Sequence, residues 1–135
     1  MIHVIMGLKG SGKTKKLIEA INTAVASANG DVVCIEYGRK LTYDVTYKVR
    51  LVDSQEYAIS TPEMLKGFLS GLHAGNFDIT HVFIDNLYKT IGNDKAAGEE
   101  FIVWCAKFAA DNQMEITITI SEDPANLSDE VKQYV

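Results

Sequence analysis

Only two cysteines occur among the 135 residues, far apart and with neither metal-ligand nor redox spacing around them. A disulfide framework and a cysteine-held metal are therefore excluded as organising devices. Cys34, in an apolar run, and Cys105, on an apolar helical face, read as buried thiols. A basic excess is missing as well. Eighteen acidic against thirteen basic side chains leave a net charge of -5, so the surface as a whole has no electrostatic pull toward nucleic acid or an anionic membrane. No apolar run approaches the roughly 20 residues that a spanning helix needs. The opening Met1-Ile2-His3-Val4-Ile5-Met6 is only strand length, has no basic leader and runs straight into a glycine-rich turn. The expectation is a soluble cytoplasmic protein with no membrane partner. His3, His73 and His81 lack ligand spacing and are assigned no chemistry. Repeats, low-complexity tracts and linkers are also absent, and the length suits one domain over residues 1–135.

What is present is a regular alternation of short apolar runs and amphipathic stretches. Val4-Ile5-Met6 reads as a strand covered on both faces. From Lys13 to Ala28 the apolar residues Leu17, Ile18, Ile21, Ala24, Val25 and Ala28 recur at helical spacing before Asn29-Gly30. Val32-Val33-Cys34-Ile35 is a second buried strand, so the first segment of chain is a βαβ unit with parallel pairing. Leu41 to Val52 alternates strictly and predicts a half-exposed β excursion, a hairpin, whose tyrosines and leucines share one face. Thr61-Pro62-Glu63 supplies a cap, a first helical position and a favourable acid for a helix that carries an apolar stripe to Leu72 and ends near Gly75. Val82-Phe83-Ile84 is a third buried run, Phe101 to Ala109 a further helix with Trp104 packing at its edge, and Met114 to Ile120 a last strand. A short helix follows Ser128. The class is α/β, a small mostly parallel sheet flanked by helices on both faces, with the hairpin as an appendage.

Between the first strand and the first helix lies Gly7-Leu8-Lys9-Gly10-Ser11-Gly12-Lys13-Thr14, which meets all four fixed positions of G-x-x-x-x-G-K-[ST]. Glycines let successive N–H groups point inward around an anion. The helix start adds unpaired N–H groups and the positive end of its dipole. Lys13 is placed to reach β- and γ-phosphates, and the Thr14 hydroxyl to ligate Mg²⁺. Independently of the pattern, Lys9, Lys13, Lys15 and Lys16 crowd this helix start, where each cation costs about 0.3–1 kcal/mol. The cluster makes physical sense around a multiply charged anion.

Gly7 to Thr14 as Walker A, with His81-Val82-Phe83-Ile84-Asp85 as Walker B, resembles the P-loop NTPase superfamily, in a layout loosely like its thymidine-kinase-like and RecA-like branches. The cysteine-bound zinc lid and acidic-aromatic motif of thymidine kinases are absent. The resemblance implies ATP and Mg²⁺ as ligands, with residues 7–15 (Gly7 to Lys15) around the phosphates and Thr14 and Asp85 on the metal. It implies catalytic roles for Lys13, Asp85 and the following Asn86. Many ATPases place a glutamate after that aspartate; Asn86 can orient a water but cannot accept its proton, so hydrolysis is expected to be weak, to borrow a base such as Glu36 or Asp123, or to need a partner. No stretch meets the guanine-reading N-K-x-D spacing, which favours adenine. Small-molecule kinases gather arginines around the transferred group, and this chain has only Arg39 and Arg50.

Three functions are compatible with these residues. The first is a Mg-dependent nucleoside triphosphate binding protein, ATP preferred, with weak ATPase activity completed by Arg39 or Arg50 of a neighbouring subunit. The second is a nucleotide-dependent binding module or switch without turnover. The third is a small-molecule phosphotransferase, its acceptor at Glu36-Tyr37-Gly38-Arg39-Lys40. Ser121-Glu122-Asp123 stands where related ATPases put a γ-phosphate sensor, and a homo-oligomer or protein partner is an open expectation.

Overall fold

Five strands form one parallel sheet in the order β1-β5-β4-β2-β3 in the computed structural model, which describes residues 1–135. They are β1 (Ile2–Gly7), β2 (Asp31–Glu36), β3 (Val49–Asp53), β4 (Ile79–Ile84) and β5 (Glu115–Ser121). The helices are α1 (Lys13–Ser27), α2 (Pro62–Gly75), α3 (Leu87–Ile91), α4 (Lys95–Asp111) and α5 (Asp129–Lys132). No helix is long and apolar enough to cross a membrane.

Pleating sends alternate residues of each strand to opposite faces, and two separate cores result. Val32 and Cys34 of β2 pack with Leu17, Ile21 and Ala24 of α1, together with Phe83, Leu41 and Val49. Val33 and Ile35 face the other way, into a cluster with Ile116, Ile118 and Ile120, Leu65 and Leu69 of α2, Phe101, Ile102 and Cys105 of α4 and Val131 of α5. Each fully buried aliphatic side chain contributes about 1.5–3 kcal/mol. Helices thus cover both faces, α1 alone on one of them. Trp104 stacks on Phe108 at 4.9 Å between ring centroids, with Lys66 over its ring. Both cysteines are free and buried.

Side-chain caps hold the starts of α2 and α4 and are missing at α1 and the short α3 and α5. The Thr61 hydroxyl accepts from Met64 N at 3.1 Å ahead of Pro62, and the Asp94 carboxylate accepts from Ala97 N at 3.1 Å. Preceding α1 is Gly12, with no side-chain cap and no acid in the first turn.

The hairpin expected over Leu41 to Val52 is corrected by the structure. Residues 37–48 wind through turns, and only Val49–Asp53 is a strand, paired in parallel with β2. Local hydrogen bonds outcompete the pleat: Asp44 N and Val45 N both donate to Leu41 O, Lys48 N donates to Thr46 Oγ1, and the Thr42 hydroxyl donates to Arg39 O. Sequence alternation then no longer means a common face. Leu41 and Val49 are buried under α1, while Tyr43 and Tyr47 are 97% and 93% exposed.

Candidate phosphate-binding site

Strand order brings the C-terminal ends of β1, β5, β4 and β2 to one edge of the sheet, the edge where open α/β sheets hold ligands. Gly7 ends β1 and is buried; a Cβ there would lie 2.1 Å from Ser11 Oγ, so only glycine lets the loop close over itself. Gly12 has φ 89°, a left-handed conformation that L side chains avoid, and from it the chain turns into α1. Of the loop amides, Ser11 N donates to Leu8 O at 3.0 Å. The N–H groups of Lys9, Gly10, Gly12, Lys13 and Thr14 have no acceptor in the chain. Lys13 lies back on the loop, its Nζ donating to Leu8 O at 3.2 Å.

These groups open onto a cavity of about 650 Å³. Lys9, Gly10, Gly12, Lys13 and Thr14 form one wall; Lys40, Asn86, Lys89 and Ser121 form the rest. The lining contains four lysines and no carboxylate. Elsewhere Arg39, Lys66, Lys95, Lys107 and Lys132 pair with Asp or Glu while Lys15, Lys16, Lys48 and Arg50 do not, and in the lining Lys9, Lys13, Lys40 and Lys89 all pair with none. A chain of net charge -5 has gathered unpaired cations around one polar hollow. Such crowding raises the energy of the free protein and is relieved by a polyanion.

Beside this wall runs a row of acids. Glu36 is registered with Asp53; Ile35 with Ile84, which sets Asp85 beside Glu36; Ile84 with Ile118, which sets Thr119 beside Asp85; and Thr119 with Ile5. Glu36 and Asp85 follow Cys34 and Phe83 by two residues and share their face, the α1 side. Asp85 is buried, and its Oδ1 accepts from the Thr119 hydroxyl at 2.6 Å; that same hydroxyl oxygen accepts from Asn86 N at 2.8 Å. The second oxygen of Asp85 takes no hydrogen bond from the chain. Glu36 is 2% exposed and its carboxylate accepts from Lys40 N at 2.9 Å and Leu41 N at 3.3 Å. Burial pushes the Glu36 carboxyl above its ordinary range; the two amides pull it down, and Asp85 and Asp53 add to the rise. The Cys34 thiol is driven up by burial first and by the fields of Glu36 and Asp85 second. No lysine or arginine neutralises Glu36 or Asp85.

The remaining sequence-chosen residues are placed as follows. Leu8 and Lys15 are exposed and lie outside the cavity lining. Asn86 lines it from a left-handed conformation, φ 52°. Ser121 reaches the lining; Glu122 pairs with Lys95, and Asp123 accepts from Ala125 N. Arg39 is held by Asp53 and Glu56 at a separate hollow of about 250 Å³ that Arg50 also lines. Lys89 and Thr119 are missing from the sequence reading, and Lys40 figures there only at the end of the stretch Glu36 to Lys40 offered to a second substrate, not as a phosphate contact. Nothing near them in the chain marks them, because each is brought to the site by strand order rather than by a motif.

Solved structures supply the comparison for this geometry. Domain III of the replication initiation protein DnaA from Thermotoga maritima matches with a TM-score of 0.54 and 16% identity over 98% of this chain and 50% of that one. The two share a fold. This chain spans about half the length of that domain, and at this identity the likeness is one of backbone, a P-loop-like α/β sandwich. No protein-family model and no curated protein matches the sequence.

Proposed function

We propose that this chain binds the triphosphate of a nucleoside triphosphate together with Mg²⁺, and turns it over slowly or only when a partner completes the site. The observation that carries the reading is the cavity of unpaired lysines and free loop amides, with no carboxylate in its lining. The loop and the bare start of α1 would cradle the phosphates, and Lys13 would leave Leu8 O for the β- and γ-oxygens.

The donor set fits magnesium. Mg²⁺ keeps several waters and takes one or two protein oxygens plus phosphate; Thr14 in the lining and the uncommitted oxygen of Asp85, which lies outside that lining, would be those two. When bound, the ion supplies charge neutralisation between β- and γ-phosphates. Thr119 holds the Asp85 carboxylate in one orientation through its hydroxyl.

Slow turnover follows from what the lining offers an attacking water. The Asn86 amide orients it but takes no proton, and Glu36 spends its carboxylate on the Lys40 and Leu41 amides. The same observation favours a non-hydrolysing nucleotide-dependent module as the second reading. For adenine over guanine the support is the missing N-K-x-D stretch alone.

Two measurements decide. Titration of the protein with MgATP, MgGTP and inorganic tripolyphosphate is expected to give binding that Lys13→Ala weakens by at least about tenfold; no binding at millimolar ligand ends the proposal. Phosphate release by the same two proteins then separates the readings. Release lost in Lys13→Ala supports an ATPase, and equal background in both leaves a binding module.

A further inference from the structure

Building on the nucleotide reading above, we infer that Lys40 and Lys89 grip the terminal phosphate, so that this chain itself supplies the cations that tell a triphosphate from a diphosphate. Sheet order gives the direction. The amides that cradle a phosphate follow β1, and β4 and β2 lie two and three strands away, so an anion laid from the loop toward Asp85 points its far end at the residues following β4 and β2. Those residues include Lys89, four past Asp85, and Lys40, four past Glu36. Both line the same cavity as Lys13. Lys89 also lines an adjoining space of about 490 Å³ with Asn86 and Ser121, so the two hollows meet at these residues.

Each lysine is anchored at its backbone while its amine has no partner. Lys40 N donates to the buried Glu36 carboxylate at 2.9 Å. Lys89 N donates to Asn86 O at 3.0 Å, and Asn86 N is fixed by Thr119. Neither amine pairs with an acid. The two backbones are thus tied to neighbouring members of the acidic row, Lys40 through Glu36 and Lys89 through the Thr119 hydroxyl that also holds Asp85. Metal at Asp85 and phosphate at Lys89 would share the hydrogen bonds of Thr119, with Lys40 held separately through Glu36. The arrangement also accounts for Arg39 being tied up by Asp53 and Glu56: the cation facing the terminal phosphate is lysine, from the same chain.

The test compares MgATP with MgADP by calorimetry on the intact chain and on Lys40→Ala, Lys89→Ala and the double variant, with Lys48→Ala as a surface-charge control outside the cavity. Unsubstituted protein is expected to prefer MgATP, and each cavity substitution to weaken MgATP by about tenfold while changing MgADP less than twofold, with Lys48→Ala unchanged. Lys40→Arg and Lys89→Arg are expected to restore the preference in proteins whose thermal melting is unaltered. Equal losses for MgATP and MgADP, or none, overturn this assignment and leave the nucleotide reading standing. Absence of MgATP binding by the unsubstituted protein overturns both.

Discussion

Thr119 has no special look in the sequence, one of two threonines alternating with isoleucines in a strand, yet its hydroxyl bridges Asp85 and the Asn86 amide. Valine has nearly the same shape and neither hydrogen bond. Thr119→Val is expected to cost about 1–3 kcal/mol of stability in urea denaturation, because a buried carboxylate and an amide each lose a partner. It is also expected to weaken the Mg²⁺ dependence of nucleotide affinity, since Asp85 is no longer held in one rotamer. Thr119→Ser should keep both properties. Gly7, Gly12, Lys13 and Thr14 were legible as a group because their chemistry is local: glycine conformations and a helix start within eight consecutive residues. Lys89 and Thr119 were not, and Lys40 was noticed only as part of an acceptor edge, since each meets the phosphate hollow only after β5 and β4 are set between β1 and β2.

The segment from Tyr37 to Lys48 shows how an element can defeat a period-two pattern. Glu36 at the end of β2 turns its carboxylate onto the amides of Lys40 and Leu41, and the chain that follows winds into turns before β3. One buried acid therefore shapes the segment that carries Lys40 and leaves Tyr43 and Tyr47 in water. Its raised pKa has a definite sign. Between the ordinary value of 4.5 and the raised folded value, the native state binds more protons than the unfolded chain, so stability falls as pH rises through that window. Glu36→Gln keeps an acceptor for the amides and lacks the titration. Urea midpoints measured across this pH range should show a flatter slope for Glu36→Gln than for the parent. An identical slope would locate the titrating group elsewhere.

At the scale of the molecule, the sheet was readable because its strands are buried on both faces and so appear as continuous apolar runs at Val32–Ile35 and Val82–Ile84. Their order was not, because nothing local chooses which parallel neighbours meet. Order is what turns a net charge of -5 into a basic hollow beside an acidic row. Association with a polyphosphate is accordingly expected to weaken with added salt, as the attraction is screened over a Debye length of about 8 Å at physiological ionic strength. The slope of log affinity against log salt should be shallower for the Lys40→Ala/Lys89→Ala double variant.

The division into two cores carries a last consequence. The helix that begins at the glycine loop is seated by a cluster of eight buried residues, and the opposite face by one of 23. The thinner layer is the one whose leading end would meet the guest. Occupancy and the tightness of that layer then become one quantity: whatever clasps the anion also fastens the helix, and its release loosens the lighter side of the sandwich first.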